Sequence, residues 1–489
     1  MKKLSPSDHE FLERVTFSTF TNPFSDERKL ADRQATDSAS SVDYEEVLAS
    51  LLAELAQRLK ALTARERIAF NQYSQEERET LSTGIFFLVY HQNTDQFDEL
   101  IQKQIEAGAE SCGAAFTGKV YRTLQDYGFT SEEAALYVAI FYQVRRAFYF
   151  ISKNLVGESP CMKQLRKRLW DNLFTHDVRW YVRCLWNRME DFSTLLLGDT
   201  GTGKGAAAAA LGRSGFIPFD PKRCCFEDSF TRAFVPINLS QYPEALIESE
   251  LFGHRKGAFT GAVEKHDGVF SRCSAHGAIF LDEIGDVSEP VQIKLLQVLQ
   301  HRLFSPVGSH EALRFSGRVI AATNKSLDSL RREGRFRDDF YYRLCSDEIV
   351  LPPLNLRLKE MPSELEAMAR HILRQISGAV VGGVLDHVMG VLQQICKEGY
   401  SWPGNVRELE QAVRRILLTG SYAGDKGAAC SYSEGGDIHD ALREGTLTVQ
   451  ELTSRYCQSL FTQFGSYGEV ARRTGLDWRT VKKYVGEGS

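Results

Sequence analysis

Two stretches of this sequence carry the residue types needed to hold and cut a phosphate chain. Gly198, Asp199, Thr200, Gly201, Thr202, Gly203, Lys204 and Gly205 follow the apolar run Thr194–Leu197 and precede the helix-forming run 206–211. In the order strand, glycine loop, helix, backbone N–H groups converge on phosphates at the positive end of a helix, and Lys204 reaches the terminal oxygens. The position after the lysine ordinarily carries a Ser or Thr whose hydroxyl binds Mg²⁺. Here it is Gly205, so the ion must be held by another group or by water. The second stretch runs from Gly277 through four apolar residues to Asp282 and Glu283. Asp282 is placed to hold the Mg²⁺ shell, and Glu283 to polarise an attacking water. The ligands expected from these two stretches are a nucleotide's phosphates and Mg²⁺.

Three further groups carry weaker signals. Asn324 ends an apolar run beginning at Arg318. A strand-tip amide beside the terminal phosphate orients water, though Asn at a strand end also serves as a turn former. Arg337 and Arg343 fall in one short helical segment with Asp338 and Asp339. Each arginine is either a finger reaching across a subunit boundary or a partner in a local salt bridge. Between the two phosphate-handling stretches lie Gly257, Ala258, Phe259, Thr260, Gly261 and Ala262. One ring and one hydroxyl between turning glycines suit a movable tip that presents Phe259 to a partner. The same residues also fit a tight loop whose Phe folds back into the core.

These residues need a scaffold. At 489 residues the chain exceeds one core, and two to four domains are expected. Hydrophobic residues at 43% and charged residues at 25% are ordinary for a soluble globular protein. A net charge of -5 gives no global basic field, so any nucleic-acid contact must come from a local patch. None of the ten cysteines has CxxC spacing, which argues for reduced, mostly buried thiols in a cytoplasmic protein. No signal core or membrane-length apolar run occurs.

Residues 1–42 are polar and poorly periodic, and partial order is expected there. From Glu45 the leucines at 48, 52, 55, 59 and 62 recur at helical steps. Thr130 and Glu133 start a capped helix through Phe150 that is rich in aromatics. These helices read as a bundle with an aromatic core or as a sensory pocket. Gly157, Ser159 and Pro160 mark a boundary. Strand candidates then alternate with helices at 193–197, 233–239, 278–281, 318–322 and 348–351, as in a parallel α/β sheet. Residues 360–419 are helical again, and 420–437 read as a linker.

The last fifty residues hold an amphipathic helix (447–464) and then Ala471, Gly475 and Val481 at helix-turn-helix spacing. Asp477 caps the second helix. Trp478, Arg479, Thr480, Lys482 and Lys483 would face the groove and phosphates of double-stranded DNA, with Arg472 and Arg473 adding backbone contacts. A dimer through 447–464 predicts pseudo-palindromic sites about one helical turn apart.

With these motifs in place, residues from about 156 to 411 resemble the AAA+ domain of the sigma-54-dependent transcriptional activators, the bacterial enhancer-binding proteins. The segment 257–262 is specific to that family, and the last fifty residues resemble its Fis-type DNA-binding domain. The resemblance implies a multidomain chain: an N-terminal all-α regulatory or sensory domain (1–154), an AAA+ α/β subdomain (155–356), a helical lid (357–419), a linker (420–445) and a helix-turn-helix (446–489). It also implies that residues 257–262, chiefly Phe259 and Thr260, contact sigma-54. Asn238 would couple Glu283 to that loop, Arg337 and Arg343 would act in trans, and Arg407 would be the lid arginine on the nucleotide. The partners implied are sigma-54 and RNA polymerase, upstream DNA, and further copies of the chain, from a dimer to a hexameric ring. An unknown signal or protein would act on the N-terminal domain. The nucleotide implied is ATP, and the expected function is ATP-driven opening of sigma-54 polymerase complexes. The alternative is a DNA-binding repressor that keeps the AAA+ fold only as a scaffold. Gly205, residues 355–361 and the extra sequence around 218–225 depart from the family pattern.

Overall fold

The computed structural model describes residues 2–39, 41–63, 67–378, 382–424 and 448–486. Nine strands occur among them: β1 (Thr194–Leu197), β2 (Phe219–Asp220), β3 (Cys225–Phe226), β4 (Phe234–Asn238), β5 (Ala278–Asp282), β6 (Leu303–Phe304), β7 (Leu313–Arg314), β8 (Arg318–Thr323) and β9 (Asp347–Val350). Five form one parallel sheet in the order β4-β5-β8-β1-β9. Leu197 pairs with Thr323 and Asn238 with Asp282, so the carboxyl ends of the strands are level. In open parallel sheets that edge is where ligands bind.

Alternate residues of each strand face opposite sides, and both sides are covered. Leu195, Ile279, Leu281, Val319 and Ala321 pack under the helices Glu289–His301 and Asp338–Leu344. Leu196, Phe280, Ile320 and Ala322 face the other way, into a core that runs without a break into the N-terminal helices. Burial on both faces is why these strands read as near-continuous apolar runs.

The N-terminal region comprises α1 (Pro6–Phe20), α2 (Asp26–Ala35), α3 (Tyr44–Thr63), α4 (Gln75–His91), α5 (Thr94–Ala107), α6 (Thr117–Asp126) and α7 (Ser131–Asn154); α8 (Pro160–Phe174) follows. The expectation of partial order over 1–42 is overturned. Ser5 caps α1 by accepting the Asp8 N–H, Pro6 opens the helix, and Phe11, Leu12 and Val15 are buried where α1 lies on α4. A narrow stripe suffices here because both neighbours of α1 are helices. The capping box at Thr130 and Glu133 is present.

α7 does more than fill the bundle. Its buried Arg146 donates to the carbonyls of Arg213 and Gly215, both at 2.7 Å, and Gln143 donates to that of Ser214 at 3.0 Å. Those carbonyls lie in the turn just past the helix Lys204–Gly212, so a cation sits beside a helix C-terminus, where the dipole favours it. The β2–β3 hairpin, made of the extra sequence, stacks Phe226 on Tyr142 of α7 with centroids 4.0 Å apart.

Four helices, Leu354–Glu360, Glu364–Ser377, Gly382–Lys397 and Asn405–Thr419, form the lid around buried Trp402. The helices Val449–Phe464, Tyr467–Thr474 and Trp478–Gly486 close on Cys457, Leu460, Val470 and Val481. Residues 425–447, and with them most of the expected linker, lie outside the described residues. The expectation of mostly buried thiols is also overturned. Of the nine described cysteines only Cys457 is buried, because residues such as Cys161, Cys273 and Cys345 sit at helix ends. No helix among the described residues is long and apolar enough to cross a membrane.

Candidate nucleotide site

The glycine loop after β1 is bent by Gly198, Gly201 and Gly203, with φ of 149°, 82° and 100°. These are conformations that side chains resist. Lys204 opens the following helix and is folded onto the loop, its Nζ donating to the carbonyls of Gly198 (2.7 Å) and Asp199 (3.1 Å). Burial pushes its ammonium below the usual lysine range, against the opposing pull of Glu283, Asp282 and Asp199. Thr202 Oγ1 donates to the Asp199 carbonyl at 2.9 Å. At Gly205 an added Cβ would meet nothing within 4 Å, so the missing hydroxyl is not a matter of space.

At the end of β5, burial raises the Asp282 carboxyl, opposed by the Glu283 N–H that it accepts at 3.1 Å and by Lys204 and Arg407. Glu283 holds φ 56°, ψ 47°, a left-handed conformation costly for a residue with a Cβ and found where the surrounding structure imposes it. Asn324 joins the two motifs. Its N–H reaches Glu283 Oε2 at 3.4 Å, and its Nδ2 donates to Thr200 Oγ1 at 2.8 Å. Asn238 lines the same cleft, with its side-chain oxygen held by the N–H and hydroxyl of Ser240 at 3.0 and 2.7 Å.

The lid closes onto the loop directly. Val406 N–H donates to the Gly201 carbonyl at 3.0 Å, and Asn405 Nδ2 to that of Thr200 at 3.1 Å. Arg407, exposed, lines the resulting cleft of about 660 Å³. Sequence reasoning missed the opposite wall: Lys153, Leu155, Val156 and Met162, with His371 and Ile372 from the lid. Gly157 was legible as a break, but nothing local says that the residues before it line the cleft. Buried Arg357 fixes this joint, donating to Glu364 and to the Val156 carbonyl, both at 2.5 Å.

Arg337 and Arg343 lie off this cleft. Arg337 is bonded to Asp339 and Glu289, and Arg343 to the Leu299 carbonyl at 3.0 Å. The loop 257–262 is closed by the Gly257 N–H on the Ala262 carbonyl at 2.8 Å. Gly257 and Gly261 have φ of 79° and 102°. Phe259 does not fold into the core; it stays 38% exposed, its ring set edge-on to His254 with centroids 4.9 Å apart. In the C-terminal unit Trp478, Arg479, Thr480, Lys482 and Lys483 are exposed on one short helix. Asp477 caps that helix through the Arg479 N–H at 2.9 Å. Arg472 and Arg473 are both paired with Glu469.

A parallel sheet with a glycine loop after its β1 strand, two acids at the end of β5 and a helical lid defines an AAA+ P-loop domain. Residues 182–350 match the family described as the Sigma-54 interaction domain. The chain is 36% identical over 337 residues to the transcriptional regulatory protein ZraR of Klebsiella oxytoca, covering 67% of each chain. It is 38% identical over 264 residues to the DNA-binding transcriptional regulator NtrC of Azospirillum brasilense, covering 54% of this chain and 47% of that one. The chain therefore belongs to the sigma-54-dependent transcriptional activators. It spans about half the length of the NtrC and Nif-specific relatives it matches. A crystal structure of NtrX from Brucella abortus aligns over 73% of this chain and 75% of that one, at 22% identity with a TM-score of 0.40.

Proposed function

We propose that this chain is an ATP-driven transcription activator that binds upstream DNA and remodels sigma-54 RNA polymerase from a closed to an open complex. ATP would lie in the cleft with its phosphates against the N–H groups of 201–205 and Lys204. Asp282 and water would hold Mg²⁺, which neutralises charge on the phosphate oxygens. Glu283 would polarise the attacking water, with Asn324 fixing its carboxylate. Arg407 would reach the nucleotide from the lid. Arg337 and Arg343 would serve the site of a neighbouring copy in a ring, for which their position away from the chain's own cleft is suited.

One observation carries the coupling. Asn238 lines the cleft, and the chain it heads runs through the helix Glu244–Phe252 straight to the Phe259 loop. Leu251 and Phe252 bury that helix, and Ser249 bonds the His254 ring on which Phe259 rests, at 2.7 Å. A hydrogen-bond change at Asn238 would therefore move a packed arm and displace residues 257–262, with Phe259 and Thr260 meeting sigma-54. The exposed helix carrying Trp478, Arg479, Thr480, Lys482 and Lys483 would enter DNA, and Arg472 and Arg473 would exchange Glu469 for phosphate. The N-terminal helices would regulate the ATPase through the Arg146 seam.

The test is Glu283→Gln in the full chain. Loss of a general base should slow ATP turnover by about 100-fold or more, with fluorescent-nucleotide binding retained and open-complex formation abolished. Turnover at the wild-type rate would refute the reading.

A further inference from the structure

A second cavity, of about 420 Å³, lies in the N-terminal bundle, away from the nucleotide cleft. That volume falls within the range of about 300–1,000 Å³ typical of small-molecule sites. Its walls are flat rings, among them Phe86, Phe148 and Trp170. Phe24 stacks behind Phe148 at 5.3 Å and meets Trp170 edge-on at 5.9 Å, so this wall is fixed. The charged residues lining the cavity are Arg28, Lys29 and Arg145; no carboxylate lines it among the described residues.

The two guanidiniums are anchored from behind. Arg28 Nε bonds Asp32 at 3.0 Å; Arg145 Nε and Nη2 bond Asp98 at 2.6 and 2.5 Å. A guanidinium has five N–H donors in a fixed fork, and these bonds use only part of each set. Their joint field is felt by His91 on the same wall. Burial pushes that imidazole down to about 3, with Arg28 and Arg145 adding to the shift. The cavity thus combines aromatic walls with two ion-paired guanidiniums that retain further N–H donors. Trp170 also keeps a buried indole N–H without a partner among the described residues.

We propose that this cavity binds a small aromatic carboxylic acid, its ring among Phe86, Phe148 and Trp170 and its carboxylate against Arg28 and Arg145. Aromatic rings prefer offset or edge-on partners, which flat walls supply, and a carboxylate matches the guanidinium fork. The position gives the ligand leverage. Trp170 is on α8, whose Arg168 and Asn172 hold Asp347 of β9 at 2.8 and 2.7 Å. A bound ring would press the bundle and the sheet's edge into one arrangement. The assignment does not rest on ATP hydrolysis, because binding is measured without nucleotide.

The experiment is isothermal calorimetry of the full chain with 1-naphthylacetate, its neutral amide and decanoate. The acid should bind in the micromolar range, and the amide at least about tenfold more weakly, a difference of about 1.4 kcal/mol. Arg28→Gln should weaken the acid by a similar factor and leave the amide unchanged. Val144→Phe narrows the cavity from a lining position without touching an ion pair, and should abolish binding while thermal unfolding stays cooperative. Equal affinity for acid and amide, tighter binding of decanoate, unchanged binding by Val144→Phe, or no heat with millimolar acid would each overturn the assignment.

Discussion

The two glycine loops of this chain use the same residue for opposite ends. In the P-loop, glycine permits contact. A Cβ on Gly201 would lie 2.1 Å from the Gly404 carbonyl, and one on Gly198 would lie 3.1 Å from that of Leu351. In the Phe259 loop, a Cβ on Gly257 or Gly261 would meet nothing within 4 Å. Those two glycines of the first loop are clamped between sheet and lid; those of the second face open space, while Ala262 beside them is buried. A left-handed φ therefore marks a close approach in one place and an open turn in the other. Only the surroundings distinguish them.

The largest expected effect is at the clamp. Gly201→Ala places a methyl group inside a backbone carbonyl and strains a φ of 82°. The lid must then lift off the loop, taking Val406 and Asn405 with it. Nucleotide affinity, read by fluorescence titration, should fall at least about tenfold, since strain of about 1–3 kcal/mol adds to the clash. Wild-type affinity would mean that the lid contact is unimportant for the site.

Next comes the free tip. Phe259→Ala removes a ring that no core residue holds, so unfolding stability should change by no more than about 0.5 kcal/mol. Nucleotide binding and basal ATP turnover should persist, while capture of sigma-54 in the presence of a transition-state analogue of ATP should be lost. A large drop in melting temperature would show the ring to be structural.

A third glycine sharpens the contrast. Gly205 is neither clamped nor left-handed; it lies in the first turn of a helix with open space at its Cβ. Gly205→Ser should fit without strain and supply the hydroxyl that Mg²⁺ ordinarily meets there. Magnesium-dependent nucleotide affinity should rise by several-fold, and magnesium-free affinity should not. Equal gains with and without the ion would point to helix propensity alone.

How far the sequence reached follows from the range of its signals. All five sheet strands were placed within two residues, the central β1, β5 and β8 because strands buried on both faces are near-unbroken apolar runs. The phosphate loop and the paired acids were legible because their order along the chain is itself the geometry. Helices α1 and α2 were not, because their buried stripes are narrow in a polar stretch. The β2–β3 hairpin escaped because two-residue strands carry no period. The Arg146 seam joins residues nearly seventy apart in sequence, about as far as Arg146 stands from Arg213, and local patterns do not report such contacts. The Leu155 and Val156 wall of the cleft was visible only as a boundary. Phe259 was legible as a ring on a glycine-bounded turn, but its seat on His254 was not.

The mildest substitution is the most discriminating, because it isolates the turn from everything it carries. Gly257→Ala leaves Phe259, Thr260 and every cleft residue in place and introduces no steric overlap. What changes is the cost of φ 79°, about 1–2 kcal/mol for a residue with a Cβ. If the loop merely decorates the surface, that strain relaxes locally, and melting, ATP turnover and sigma-54 capture all match wild type. If the loop must pass through this conformation to present its ring, the strain falls on the presenting state, and capture weakens by about tenfold at unchanged turnover. Loss of turnover together with capture would instead mean that the turn feeds back on the cleft through the helix Glu244–Phe252. Titrating sigma-54 against this variant, with ATP hydrolysis followed in the same samples, separates the three.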